Sequence, residues 1–181
     1  MSALDSSLWT RTAELRNGAR ITLRPLRADD REREIVFLNS LSEQTRYLRM
    51  MTPLRYLPRH VVDQLMDVDG QRRVAFVATV LEETETFVGV ARYGMAEDPL
   101  HAEVAVTVRD DWQRTGVAVM LLERLAEYAR AAGLHGLIGF VLPENHAMLA
   151  LARKVGFRTR YAPREHLMFI ELDFMSTDAR P

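Results

Sequence analysis

The residues whose types and spacing carry chemistry concentrate in residues 102–119, AEVAVTVRDDWQRTGVAV. Val104, Val106 and Val108 alternate with Glu103, Ala105 and Thr107, the period-2 pattern of a strand. The strand must end at the polar Arg109-Asp110-Asp111, and Gln113, Arg114, Thr115, Gly116, Val117 and Ala118 then open an amphipathic helix. A small-residue loop at a helix start leaves several backbone N–H groups without partners, and a phosphate is stabilised there. The loop is no Walker A motif, because Gly-Lys-Ser/Thr is absent, and no dinucleotide fingerprint, because GxGxxG is absent. By spacing alone it is an anion cradle. Glu103 is the one carboxylate in an otherwise apolar strand, and by itself reads equally as a solvated strand-edge group or as a base. Asn145, at the start of a later helix, has the ordinary role of an N-cap.

Other elements must position these groups. Residues 8–26 read as two strands around Asn17-Gly18, a type I′ turn signal, with Pro25 ending the second. Ala28-Asp29-Asp30 signals the start of a helix bearing Ile35, Val36, Leu38 and Leu41. Ser42 caps a second helix with Tyr47, Leu48 and Met51 at helical spacing. Pro53 and Pro58 bracket the connection to a third, which carries Val61, Val62, Leu65 and Met66. Arg46, Arg49, Arg55 and Arg59 line a substrate cleft or form a solvated face. Residues 72–81 and 86–93 read as antiparallel strands, with Gly89 marking a bulge or a close backbone contact. The helix after the cradle sends Val117, Leu121, Leu122, Leu125, Ala126 and Ala129 to the core and turns Glu123, Arg124, Glu127 and Arg130 outward. Residues 137–142, LIGFVL, form a strand covered on both faces. A helix from Pro143-Glu144-Asn145 to Gly156 and a terminal strand pair, 157–161 and 167–174, complete the chain.

The 181 residues, 48% of them hydrophobic, suit one core. Twenty-four basic against 25 acidic residues give a net charge of −1, so no global field favours nucleic acid or an anionic membrane. No apolar run is long enough to span a bilayer and no signal peptide is evident, so the chain is read as cytoplasmic. With no cysteine there is no disulfide and no covalent acyl-cysteine chemistry. The five histidines show no metal-ligand spacing, so no metal is expected. His101 and His146, near the chemistry, read as ordinary surface or capping groups.

The loop QRTGVA together with the downstream NHAMLALARKVGF resembles the GNAT acyltransferase superfamily, with its Gln/Arg-x-x-Gly-x-Gly/Ala pyrophosphate loop and its Asn-containing helix ending in Gly-Phe. The resemblance implies an α+β fold: a mostly antiparallel sheet with one splayed parallel strand pair and helices on both faces. It places the domain at 19–174, after an N-terminal extension or strand (1–18) and before a tail (175–181). It implies acetyl-CoA as cosubstrate, held by residues 113–118, by Asn145 and by backbone groups of Val106 and Val108. The family's Ala-Glu-Val pattern puts the general base at Glu103. Freeing a lysine amine at pH 7 costs about 4.6 kcal/mol unless a base takes the proton, and this is the work such a base does. Where many relatives carry a tyrosine general acid, this chain has Ala152, which leaves that role unassigned.

The segments TLRPLRADD, RYLRMMTPLRYLP and ENHAMLALARKVGF further resemble the acetyltransferase domain of Pat-type bacterial protein lysine acetyltransferases. That implies direct transfer in a ternary complex to a protein lysine, for instance on an acyl-CoA synthetase, by a monomer or homodimer. A small-molecule amine acetyltransferase and a non-catalytic acyl-CoA-binding module are the alternatives.

Overall fold

A computed structural model describes residues 6–53 and 58–176. Arg55, among the candidate cleft arginines, and residues 177–181 of the expected tail lie outside the described residues. The element order is α1 (Ser6–Trp9), β1 (Arg11–Glu14), β2 (Arg20–Pro25), α2 (Arg31–Ser40), α3 (Glu43–Met50), α4 (Arg59–Met66), β3 (Arg73–Leu81), β4 (Glu85–Met95), β5 (His101–Val108), α5 (Val117–Ala131), β6 (Gly136–Val141), α6 (His146–Val155), β7 (Arg158–Ala162) and β8 (Leu167–Asp173). The strands form one eight-stranded sheet in the order β1-β2-β3-β4-β5-β6-β8-β7. Every pairing is antiparallel except that of β5 with β6. This is the α+β architecture expected.

Two apolar layers cover the sheet. Leu121, Leu122, Leu125, Ala126 and Ala129 of α5 are at most 2% exposed and pack with α6 residues on one face. Phe37 and Leu38 of α2 and Val62 of α4 cover Ala75, Val77 and Val90 on the other. The 3.6-residue pattern of α5 therefore reads through to burial. Gly89 fulfils both of its expected roles. The β3–β4 register shifts beside it, between Ala78 and Thr79, and a Cβ on Gly89 would stand 2.9 Å from Leu121 Cδ1 and 3.0 Å from Val117 Cγ1. Its lack of a side chain lets α5 seat closely on the sheet.

The first hairpin departs from expectation. Gly18 has φ +81° while Asn17 stays at negative φ, so the turn is not type I′. The Gly18 amide donates to Leu15 O at 2.9 Å, the Leu15 amide to Ala19 O at 2.8 Å, and Asn17 Oδ1 accepts from the Ala19 amide. A type I turn with one left-handed glycine closes a longer loop, in which Asn17 serves as an acceptor and needs no positive φ. Upstream, residues 6–9 are helical rather than extended. Trp9 sits edge-on to Tyr128 at 4.8 Å, with the Arg124 guanidinium 4.7 Å over its ring.

Sequence reasoning took Asp30 for a helix-start acid, but it is fully buried. Arg24 of β2, 1% exposed, holds it with two guanidinium contacts at 2.6 and 2.8 Å and reaches Glu85 at 2.8 Å. Burial alone would raise the Asp30 carboxyl; the hydrogen bonds from Arg24 and from the Arg27 amide outweigh it and hold the group below the ordinary carboxylate range. One guanidinium, in two ion pairs, thus fixes the entry to α2 against two strands.

Asp30→Asn leaves the Arg24 charge poorly compensated inside the protein, and a loss of about 3–5 kcal/mol is expected in chemical denaturation. Because the folded-state value is depressed, the Asp30 contribution is complete above the unfolded value of about 3.9 and disappears as pH falls through the folded value. Wild type should therefore lose stability below about pH 4 more steeply than the variant; parallel acid-limb slopes would refute this role for Asp30.

Candidate active site

The pairing of β5 with β6 lasts for three residues: His101 with Gly136, Ala102 with Leu137 and Glu103 with Ile138. Beyond Glu103 the strands part. At that point Gly139 lets the backbones pass closely, since a Cβ there would lie 3.2 Å from Val104 O. The gap widens into a cleft of about 450 Å³. Its walls are β5 from Ala105 to Val108, the turn after β5, the start of α5, one side of α6, and Gln44, Thr45, Leu48 and Arg49 of α3.

At the α5 end the backbone forms a concave run of amides. Arg114 has φ +63° and Gly116 φ +102°, a left-handed pair of positions that turns successive N–H groups toward one side. Amides 114–119 make no backbone hydrogen bond among the described residues; the first is that of Met120 to Gly116 O at 3.2 Å. A Cβ at Gly116 would meet nothing within 4 Å, so the space there is open to a ligand. Together with the helix start, these groups fit a diphosphate.

Of the cosubstrate contacts expected from sequence, Val106, Val108, Gln113, Arg114, Gly116, Ala118 and Asn145 line the cleft. The side chains of Thr115 and Val117 do not. The Thr115 hydroxyl donates to Trp112 O at 2.6 Å, and Val117 is buried against the sheet at 1% exposure, so only their backbones belong to the cradle. Gln113 Nε2 donates to Val108 O at 3.4 Å and Thr45 Oγ1 at 3.2 Å, a structural use. Asn145 caps α6, accepting from the Met148 amide at 3.1 Å, while also facing the cleft.

Glu103 is exposed and lies at the last rung of the parallel ladder. It shares a strand face with Ala105 and Thr107, two and four residues further on, which line the cleft. Ala152 is 0% exposed; it packs into the core, so a protonating group from that position is absent. His101 is held by Asp98 at 2.6 Å, and His146 is exposed, as an ordinary reading expects. Among the described residues no group of three or more His, Cys, Asp or Glu side chains converges on a metal position, and no helix is long and apolar enough to cross a membrane.

Sequence reasoning missed two features. Asp110 accepts from the Ser42 amide at 2.9 Å, Ser42 Oγ at 2.7 Å and Thr45 Oγ1 at 2.7 Å, tying α3 to the turn that makes the cradle. Burial would raise its carboxyl, but these bonds hold it below the usual range. A long-range staple of this kind leaves no local signal beyond the two aspartates after the strand. The second is a charged layer behind the cleft. Glu34 of α2, fully buried, accepts from Arg92 at 2.6 Å, and its other oxygen has no hydrogen-bond partner. That carboxylate and Arg49 border a small cavity of about 10 Å³. Burial pushes the Arg49 guanidinium down to about 10, with Arg92 adding repulsion and Glu34 and Glu103 opposing it. Of the four candidate arginines, Arg49 lines the cleft, Arg46 has its Nε buried without a partner, and Arg59 is exposed at the start of α4.

The model of an acetyltransferase (GNAT) domain matches residues 20–158. An acetyltransferase of Pseudomonas aeruginosa is 36% identical over 157 residues, 86% of this chain and 83% of that relative. The acetyltransferase Pat of Mycolicibacterium smegmatis is 27% identical over 143 residues, 79% of this chain but 43% of the longer relative. The crystal structure of the GNAT domain of S. lividans PAT superposes with a TM-score of 0.86 at 28% identity, covering 93% of this chain and 98% of that one. With a parted parallel strand pair, an amide cradle and a family model spanning both, the chain belongs to the GNAT acetyltransferase family.

Proposed function

We propose that this protein transfers an acetyl group from acetyl-CoA directly to a lysine side chain on a protein, with Glu103 as general base. The observation that carries the reading is the parting of β5 and β6 immediately after Glu103, which opens a cleft that begins at Ala105, two residues further along the same strand face, and reaches the unpaired amides before α5. Acetyl-CoA, the cosubstrate of this family, supplies an activated acyl thioester. Residues 114–118 offer N–H groups to its diphosphate, and the exposed edge of β5 at Val106 and Val108 offers backbone groups to its amide-bearing arm. Glu103 accepts the proton shed by the attacking amine. The chain has no cysteine to carry the acyl group, which supports direct transfer.

The acceptor assignment draws on the cleft's charge. Among the described residues lining it, Asp110 is the one carboxylate, and it already accepts three hydrogen bonds from α3. Arg49, Arg114 and Lys154 are its cations. Such a wall repels small polyamines and suits an acceptor that brings its own negative charge beside one amine. A protein surface does this, and the similarity to Pat acetyltransferases favours the same class.

Gly116→Glu places a carboxylate where the diphosphate would sit and a side chain on a backbone at φ +102°. Calorimetry should then show no acetyl-CoA binding at submillimolar concentration, and unchanged affinity would remove the cradle from the reading. Glu103→Gln should lower turnover roughly 10²- to 10⁴-fold with acetyl-CoA affinity nearly intact; full activity between pH 6 and 9 would exclude Glu103 as the base. For the acceptor, a cognate proteome containing acyl-CoA synthetases and a panel of small amines should be incubated with enzyme and acetyl-CoA. Enzyme-dependent acetyl-lysine at defined protein sites is expected, and rapid consumption of a small amine with proteins untouched would reject it.

A further inference from the structure

The chain contains 23 arginines and a single lysine, Lys154. Arginine takes the cationic side of the ion pairs at Asp30, Asp63, Asp67, Glu34, Asp111 and Glu127. A guanidinium stays protonated and does not attack thioesters, whereas a lysine amine can shed its proton and become a nucleophile. Lys154 lies in the last turn of α6 and lines the cleft, on the helix stripe that also presents Met148 and Leu151 to it. It is exposed, and among the described residues its ammonium has neither a salt bridge nor a hydrogen bond to hold it elsewhere. Its flexible four-carbon stem can swing along the apolar wall formed by those neighbours.

We infer that Lys154 is a self-acetylation site, modified by acetyl-CoA bound in the chain's own cleft; the inference rests on the acetyl-CoA reading of that cleft. In the step, the free-base Nζ attacks the thioester carbonyl carbon. The C–N bond forms as the C–S bond breaks, CoA departs as its thiolate, and the proton shed by nitrogen passes through solvent to the thiolate. The products are Nε-acetyl-lysine and CoA, and no further reactant is required. Acetylation removes the positive charge of Lys154, so the modified cleft carries one cation fewer for a polyanionic cosubstrate.

The test is incubation of the full chain with acetyl-CoA alone, followed by intact-mass and peptide-mapping mass spectrometry, alongside calorimetry of acetyl-CoA binding and transfer to an external amine. One side-chain acetyl group per molecule is expected, mapping to Lys154. Its rate constant should be independent of protein concentration and fall at least fivefold when excess CoA competes for the cleft, and no side-chain acetylation should occur in Lys154→Arg. Modification that proceeds equally fast in the urea-unfolded chain, or is indifferent to CoA, would overturn the inference. So would an unmodified Lys154 in a chain that binds acetyl-CoA and acetylates the external amine, leaving the proposed function standing. Failure of acetyl-CoA to bind at all would bring down both.

Discussion

Two parallel strands that begin paired and then separate set the terms for the rest of this structure. A separated strand exposes amide and carbonyl groups that a continuous sheet would pair, and inside a protein such groups demand partners. Beyond Glu103 the β5 edge faces the cleft, where a ligand with amide groups of its own would supply such partners. The geometry needs a point of departure at which the backbones nearly touch, and Gly139 supplies it by offering no side chain 3.2 Å from Val104 O. It also needs β5 to remain straight on its other edge. Seven antiparallel rungs to β4, from Gly89 through Met95, provide that.

The cost of an open sheet is met in its closed half. Strands β3 and β4 carry the most heavily buried residues, and α5 is drawn onto them through the contact at Gly89. Since α5 begins at the cradle, the position of its first turn is set by Val117 and Leu121, which touch the sheet beneath Gly89. Packing in the core thus aims backbone N–H groups at the cleft some residues away. Arg24 plays a comparable part at the far edge, where one buried guanidinium joins β2, the start of α2 and β4 through Asp30 and Glu85. Buried pairs of this sort contribute modestly to net stability, but removing one partner is expensive, which makes the arrangement intolerant of alternatives.

What the sequence disclosed follows from how local each signal was. The strand over residues 103–108, the outward positions of Glu123, Glu127 and Arg130, the Ser42 cap and the constraint at Gly89 are all encoded within a few residues, and all appear in the structure; the strict alternation fails at Thr107, which is buried, and Arg124 leaves the outward arc to lie over Trp9. The type I′ turn failed because Asn-Gly specifies a left-handed glycine without fixing the loop length, and here Asn17 is used as an acceptor. Buried charges were illegible for another reason. Asp30 and Glu34 look like first-turn helix acids in sequence, and only partners 6 and 58 residues away make them core residues. In the cleft, the turn that leaves amides 114–119 without backbone partners could be read from the loop motif. The side-chain duties of Gln113 and Thr115 could not, because both are spent on positioning the loop itself.

The α3 side of the cleft was the least legible part, and its construction explains why. Helix α3 has no fully buried residue. Its amphipathic pattern therefore reports a half-covered wall rather than a core face, and hydrophobicity gives little information about where it sits. Its place is set by polar contacts: Asp110 receives Ser42 and Thr45 at its start, and Tyr47 donates to Glu144, just before α6, at 3.2 Å. Individually, exposed hydrogen bonds like these contribute about 1 kcal/mol or less, so α3 is held more loosely than α5. Yet Asp110 stands at the beginning of the turn that carries the amide cradle, four residues before Arg114. Helix α3 and the amide loop before α5 therefore share one carboxylate, and neither can shift far without drawing on the other.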